Sequence, residues 1–218
     1  MYYNSDGGRI KTTELRVVCV MRSISCTATQ NRLNIILVGE TAGLNRKLDY
    51  VEQQCENMKK LGILSDTHDH LDRIRAAVVL LETNGAEGLL HLGDFIAPFA
   101  LKLVLQFHGP VYAIFGNNDG EKRGLKKLFG ELRDGPHVFE IGGRKIGVAH
   151  SVEEIPAEYR AICDAIMYGH SHERVLKPRV GLQPLELNPG EGCGWLTGKP
   201  SCAILNLESM NAEILEIQ

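Results

Sequence analysis

Seven metal-capable side chains follow five short apolar segments of this sequence. The segments are GILS, LLHLG, AIFG, KIGVA and AIMYG, and the side chains are Asp66, His68, Asp94, Asn117, His150, His170 and His172. Imidazole, carboxylate and amide oxygens without a thiolate suit manganese, iron, zinc or nickel better than a closed structural zinc site. Seven ligands are too many for one open catalytic ion, but they suit two ions about 4 Å apart that share a carboxylate. The pattern therefore predicts a binuclear metal centre.

Each of these residues also has an ordinary structural explanation when it is taken alone. An aspartate after a strand is commonly a helix N-cap, a single histidine is commonly a satisfied surface or core residue, and the GNND sequence at 116–119 is a common turn. The repetition favours a shared site, because open α/β sheets collect their ligands beyond the carboxyl ends of their strands.

From Lys59 onward, the short apolar segments alternate along the chain with stretches of helical periodicity. This pattern predicts strands in KLGILS, GLLHL and VYAIF, with helices near 70–83, 97–107 and 121–129. Strand pairs follow in HVFEIGGRKIGVAH, KPRVGLQPLELNPG and CAILNLESMNAEILEI. The chain is therefore predicted to be α/β in its first half and richer in antiparallel strands in its second half.

Residues 1–57 do not follow this pattern. They place Ser, Thr, Asn and Gly between weak apolar runs, and only LDYVEQQCENM suggests a helix. We expect residues 1–57 to form an N-terminal extension that is poorly ordered or loosely docked, or to result from a start codon assigned too early. Residues 58–218 then form the main folded domain.

The composition favours a small-molecule partner. The 24 basic and 27 acidic residues give a net charge of -3 without long blocks of like charge, so nothing indicates a nucleic-acid partner. The uncharged apolar runs are far shorter than the roughly 18 residues of a membrane span. Six cysteines without a CxxC spacing fit a reduced, cytoplasmic protein.

Five sequence blocks together resemble a known family. SDTHD, HLGD, GNND, GVAHS and YGHSHE resemble, in order and spacing, the motifs of the calcineurin-like metallophosphoesterases, and most closely those of the small YfcE-type phosphodiesterases. The resemblance covers residues 58–218. It implies a four-layer α/β/β/α sandwich in which two mixed sheets face each other, and it implies hydrolysis of phosphate esters, with phosphodiesters preferred.

The resemblance also implies how the ligands are divided. Asp66, His68 and His172 would hold one divalent ion, Asn117, His150 and His170 the other, and Asp94 would bridge them. Manganese is the first choice, with zinc, iron or nickel as alternatives. A hydroxide bridging the two ions would attack the phosphorus, so no nucleophilic side chain is needed.

Asp94, Asn118 and His150 are our candidate catalytic residues. Many members of the superfamily carry a histidine at the position of Asn118, where it can assist the leaving group. An amide has no proton to give at neutral pH. We therefore expect phosphodiesters and esters with acidic leaving groups to react faster than unactivated alkyl monoesters.

The sequence also gives expectations for four other residues near the motifs. Asp69 is expected to be the N-cap of the following helix, and His70 has either no special task or a place at the substrate mouth. His91 is expected to hydrogen-bond either with residues around the metal ligands or within the core. Trp195 is expected to anchor its Gly-rich loop, with base stacking as the alternative.

A binding scaffold of the same fold is the competing hypothesis, because a retromer subunit shares this fold and acts through protein contacts. A scaffold is free to lose metal ligands, whereas all seven are present here, so we favour the enzyme. Relatives of this type often self-associate, so a homo-oligomer is also considered.

Overall fold

The computed structural model describes residues 57–218, and these form ten strands and four α-helices. The strands are β1 (Lys60–Leu64), β2 (Gly88–His91), β3 (Val111–Ala113), β4 (His137–Ile141), β5 (Arg144–Val148), β6 (Ala165–Met167), β7 (Arg174–Lys177), β8 (Leu185–Pro189), β9 (Ser201–Asn206) and β10 (Asn211–Glu216). The helices are α1 (Leu71–Thr83), α2 (Pro98–Val104), α3 (Lys122–Leu128) and α4 (Tyr159–Ile162). Apart from Asn57, the predicted extension at 1–57 lies outside the described residues, as does nearly all of its predicted helix.

The strands form two mixed sheets of five strands each. The order in the first sheet is β10-β9-β1-β2-β3, and the order in the second is β4-β5-β6-β8-β7. β1, β2 and β3 are parallel to one another, as are β5, β6 and β8. The remaining neighbours, including the chain-terminal pair β9 and β10, are antiparallel. Parallel strands in each sheet thus bring several carboxyl ends to one edge.

The two sheets share an apolar core between their inner faces. Side chains alternate along each strand, so Ile63 of β1 and Leu205 of β9 point into this core, while Leu64 and Cys202 belong to the cluster on the opposite face of the first sheet. In the second sheet, Met167 of β6 is in the shared core, whereas Ile166 packs on the outside. The alternation places an apolar layer on both faces of each sheet.

Helices cover the two outer faces. Helix α1 buries Ile74, Ala77, Val78 and Leu81 at helical spacing, and Leu81 lies where a side chain on Gly62 of β1 would begin. The outer face of the second sheet is covered more thinly, by α4 and a short 3₁₀ turn at Val152–Glu154. The arrangement confirms the predicted four-layer α/β/β/α sandwich.

The main local difference from the sequence prediction concerns β7. The first strand of its pair was placed in KPRVGLQP, but β7 ends at Lys177 and begins before that stretch. Pro178 has no N–H to donate to a ladder, and Gly181 adopts a φ of +58° in the turn that follows. Helix α2 is also shorter than predicted, with Pro98 in its first turn.

A cluster of charged side chains lies on the outer face of the second sheet, at Glu186 of β8. One oxygen of Glu186 accepts hydrogen bonds from the hydroxyl of Tyr168 and from Lys177 Nζ, and the other accepts from Arg160. Burial raises the pKa of Glu186, but the hydrogen bonds from Lys177, Tyr168 and Arg160 outweigh it and hold the pKa at about 2. Glu186 is therefore ionised throughout the neutral range.

Within residues 57–218, none of the helices has the length and apolar character that crossing a membrane would require.

Candidate metal centre

The seven predicted ligands lie on the loops that leave the carboxyl ends of the central strands. Backbone hydrogen bonds join the first two loops, because Asp66 N donates to the Gly93 carbonyl and Thr67 N donates to the Asp94 carbonyl, both at 3.1 Å. The loop after β6 joins them through His170 N, which donates to Asp66 Oδ2 at 3.1 Å. Segments that are far apart in the sequence thus meet at one edge of the two sheets.

Asp66 and Asp94 are buried at the centre of the group. Asp66 Oδ1 lies 3.9 Å from His68 Nε2, 3.9 Å from His150 Nε2 and 3.6 Å from His172 Nε2. Asp94 Oδ2 lies 3.6 Å from His68 Nε2 and 3.3 Å from His150 Nε2. Most of these separations are too long for a hydrogen bond, whereas two ligands about 2.1 Å from one tetrahedral ion lie roughly 3.4 Å apart, so the spacing is compatible with metal ions held among these atoms.

Three of these atoms are buried without a hydrogen-bond partner among the described residues: Asp66 Oδ1, His68 Nε2 and His150 Nε2. Leaving a buried carboxylate oxygen and two ring nitrogens unpaired is costly, unless a ligand satisfies them. Carboxylate oxygens and imidazole nitrogens are common ligands of divalent cations. A bound metal ion would satisfy the three unpaired atoms, so this set of side chains fits a metal site.

The remaining predicted ligands are nearer the solvent. His170 Nδ1 lies 2.9 Å from Asn117 Oδ1, and the rings of His150 and His170 meet edge to face at 5.2 Å. His172 stacks on His68 with ring centroids 5.2 Å apart. The structure thus brings all seven predicted ligands into one connected group.

Hydrogen bonds set the tautomers of two histidines. His150 Nδ1 lies 2.8 Å from the Leu92 carbonyl and must donate to it, so Nε2 is the ring nitrogen that faces Asp94 and that would lose its proton to bind a metal ion. His172 Nδ1 lies 2.7 Å from Glu191 Oε2 and donates to it in the same way. A partner on one ring nitrogen fixes the other as a metal ligand.

The pKa values reflect the crowding of charges. Burial raises the pKa of Asp66. Burial also raises the pKa of Asp94, but the close approach of His150 and the hydrogen bonds from Asn118 prevail and hold the pKa well below its usual range. Burial lowers the pKa of His150, and the two carboxylates outweigh it and raise the pKa to about 9. Such displaced values are typical of functional sites.

Most of the ligands have an uncommon backbone conformation. Asp66, His68, Asp94, His170 and His172 all have φ between +39° and +64°, a region that residues other than glycine rarely adopt. Such strain persists where the surrounding structure dictates it, and it clusters at functional sites. Gly116, just before Asn117, lets the two loops approach each other closely, because a side chain there would strike Asp94 Oδ1.

Sequence reasoning overlooked three residues around the ligands. Asp119 is buried and accepts from the N–H groups of Gly116 and Asp94, so it fixes the loop that carries the central carboxylate. Glu191 is buried and orients His172. Cys193 Sγ lies within 4.8 Å of ligand atoms of His68 and His172, so a thiol does adjoin the centre. The GNND and NPGEGCG segments held the only signals for them.

Asp69 differs from its predicted role, and Asn118 makes contacts that the sequence did not predict. Asp69 is not the N-cap of α1: His70 holds that position without a side-chain cap, and Asp69 Oδ1 accepts from Ala97 N at 3.1 Å. The amide of Asn118 donates to Asp94 Oδ2 at 2.7 Å, and its backbone N donates to Asp94 Oδ1 at 2.8 Å. Asn118 therefore holds the buried carboxylate of Asp94 in place.

The prediction for His91 is confirmed. The ring is buried, its Nδ1 accepts from Gly93 N at 3.2 Å, and its Nε2 lies 3.1 Å from Thr67 Oγ1. Burial keeps the pKa of His91 well below its usual value, so the ring is neutral. His91 supports the loops on either side of the metal centre.

Comparison with known proteins decides the family. The calcineurin-like phosphoesterase superfamily domain matches residues 58–210. The chain belongs to this superfamily. Membership confirms the predicted family and phosphoester hydrolysis as its class of activity, and the metallophosphoesterases of this family use divalent metals.

Individual relatives of the superfamily agree with this assignment. The phosphodiesterase MJ0936 of Methanocaldococcus jannaschii is 36% identical over 157 residues, which cover 68% of this chain and 93% of the relative. The structure of a novel archaeal phosphodiesterase matches with a TM-score of 0.64 at 37% identity, covering 72% of this chain and 99% of that one. The structure of YfcE, a phosphoesterase from E. coli, shares the fold with a TM-score of 0.55 at 20% identity, covering 73% and 100%.

Proposed function

We propose that this chain is a phosphodiesterase that uses two divalent metal ions. The observation that carries the proposal is the convergence of Asp66 Oδ1, His68 Nε2 and His150 Nε2, which are buried, unpaired among the described residues and grouped around Asp94. The likeness to archaeal phosphodiesterases at 36–37% identity supports phosphodiesters as the substrate class.

In this proposal the ligands are divided as the family resemblance implies. Asp66, His68 and His172 would hold one ion, Asn117, His150 and His170 would hold the other, and Asp94 would serve both. Manganese is the first choice, with zinc, iron or nickel as alternatives. Two ions so held would supply an activated water near neutral pH and would neutralise charge that develops on the phosphoryl oxygens.

The chain's own contribution is to hold these ligands in position. Asn118 donates two hydrogen bonds to Asp94, and the Leu92 carbonyl and Glu191 orient His150 and His172. Preorganised ligands need no rearrangement during the reaction, which is where such sites gain most of their rate. Asp94, Asn118 and His150 are accordingly our candidate catalytic residues.

The proposed substrate is a small phosphate ester, and the proposed location is the cytoplasm. The side-chain amide of Asn118 donates its hydrogen bond to Asp94 and has no acidic proton. Asn118 therefore cannot protonate the alcohol that leaves the phosphate. The three cysteines within the described residues are free, which fits a reducing compartment.

A metal-titrated assay with bis(p-nitrophenyl) phosphate tests the function. Metal-free protein should be inactive and should gain turnover with added Mn²⁺, and Asp94→Asn and His170→Ala should lose at least 100-fold of it. Asp72→Asn, which changes an exposed carboxylate on α1, is the matched control and should behave as the parent protein. Absence of metal-dependent turnover in the parent protein would favour the scaffold hypothesis.

A further inference from the structure

The chain has one tryptophan, and it lies beside the metal centre. Trp195 Nε1 lies 3.4 Å from the carbonyl oxygen of His68, a candidate metal ligand. The indole also stacks on the imidazole of His70, with ring centroids 4.5 Å apart and the planes inclined by 22°. Two aromatic rings therefore stand together beside the backbone of a candidate metal ligand.

Trp195 is much more exposed than an anchoring tryptophan needs to be. Its residue surface is 63% exposed, and that of its neighbour Leu196 is 76% exposed. An anchor gains its stability by burying the indole, whereas here most of it faces water beside a charged site. Exposed apolar surface next to a polar centre is typical of a ligand-binding site.

The loop that presents Trp195 is firmly held. The buried carboxylate of Glu191 accepts hydrogen bonds from Leu196 N at 3.1 Å, from Thr197 N at 2.5 Å and from Thr197 Oγ1 at 2.6 Å. Glycine at 194 adopts a φ of +73°, and a side chain there would strike Pro200. A ring positioned in advance loses little entropy when a ligand stacks on it.

We propose that Trp195 and His70 form a subsite that stacks a planar ring of nucleobase size carried by one alcohol group of the phosphate ester. The substrate class is then a nucleotide-like phosphodiester. This inference rests on the proposed function, because the metal centre would hold the phosphate while the ring lies over the indole. Stacking on an aromatic side chain tolerates different bases, since every base has a π-face.

Binding of AMP and ribose 5-phosphate to zinc-loaded protein tests the subsite, since these probes share the phosphate and sugar and differ by the base. AMP is expected to bind about 5- to 100-fold more tightly, the range that one base–aromatic stack provides. AMP should also quench the tryptophan fluorescence, which reports on Trp195 alone, whereas ribose 5-phosphate should not. Equal affinities, or no binding of either probe, would overturn the subsite.

Two variants separate stacking from loop anchoring. Trp195→Ala should abolish the preference for AMP, measured by calorimetry, whereas Trp195→Phe should retain most of it because phenylalanine keeps a ring but lacks the N–H donor. If Trp195 served only to hold the loop through Nε1, both variants would lose affinity for AMP to the same extent. Leu182→Ala, at an exposed leucine in the turn between β7 and β8, is the control and should bind AMP like the parent protein.

The outcome for the subsite is distinguishable from the outcome for the activity. Metal-dependent turnover of bis(p-nitrophenyl) phosphate is measured in the same preparation. Intact turnover with no AMP preference overturns the subsite alone, while absence of turnover at every metal concentration overturns the proposed function, and with it the subsite.

Discussion

Replacing Glu191 with glutamine is expected to weaken metal binding without removing any metal ligand. Glu191 Oε2 accepts the proton of His172 Nδ1 at 2.7 Å, and Oε1 accepts the donors of Thr197. Glutamine keeps one acceptor oxygen. If that oxygen stays with Thr197, the new NH₂ group faces His172 Nδ1, and the imidazole must carry its proton on Nε2, where an ion would bind.

The magnitude follows from the geometry and from the pKa of Glu191. Loss of a carboxylate partner behind a histidine ligand typically costs 10- to 100-fold in metal affinity, about 1.4–2.7 kcal/mol. Burial raises the pKa of Glu191, but hydrogen bonds from Thr197, His172 and Leu196 outweigh it and hold the pKa at about 2, below its ordinary 4.5. Because the folded pKa is depressed, the carboxylate stabilises the fold above pH 4.5, by up to roughly 3 kcal/mol, and this contribution is lost as the pH falls towards 2.

Zinc calorimetry and thermal unfolding of the metal-free protein measure the two effects at pH 7. Glu191→Gln should bind zinc at the affected site 10- to 100-fold more weakly and should melt several degrees lower than the parent protein. Glu173→Gln is the control, since Glu173 is exposed and adjoins His172 in the sequence. Zinc affinity equal to that of the parent protein would refute the tautomer argument, and an unchanged Tm would refute the role of Glu191 in holding its loop.

Three further predictions concern other parts of the molecule. The depressed pKa of Glu186, near 2, means that its carboxylate stabilises the fold above pH 4.5 and that this is lost as the pH falls towards 2. We therefore expect the free energy of unfolding, measured with urea, to fall between pH 7 and pH 3 by about 1–2 kcal/mol less in Glu186→Gln than in the parent protein. This figure is reduced because Lys177 is exposed. Leu205→Ala should lower the free energy of unfolding by about 2–5 kcal/mol through a cavity between the sheets, whereas the exposed Leu182→Ala should change it by less than about 0.5 kcal/mol, and equal effects would contradict the placement of the core. Because Asn118 has no proton to donate, kcat/KM for bis(p-nitrophenyl) phosphate should exceed that for glycerol phosphate at least 10-fold, and a preferred alkyl monoester would contradict this reading.

Local patterns in the sequence predicted most of the fold. The short continuous apolar runs of β1 and β2 predict strands that are buried on both faces, and the spacing of Ile74 and Leu81 predicts a helix that is buried on one face. Each of these patterns spans only a few residues, so it can be recognised within a single segment of the sequence. The boundary of β7 was missed because Pro178 and Gly181 act through backbone constraints and not through apolar spacing.

The candidate ligand residues were also visible in the sequence, because a metal site needs particular side chains just beyond particular strands. Their division between two ions stays a prediction. What the sequence could not supply was the set of residues that support the ligands. Asp69 has the residue type and position of an N-cap, yet its carboxylate binds Ala97 N on another loop, a contact that no local pattern reports.

The sequence by itself therefore determined the family, the order of strands and helices and the side chains able to bind metal, since each depends on residue type and short-range spacing. Only the tertiary structure decided that Glu191 orients His172 and that Trp195 stands over His70, with its indole near a carbonyl 127 residues earlier in the chain. Such contacts arise where the two sheets bring distant loops to one edge. Their distances follow from the packing of the whole domain, which no single segment encodes.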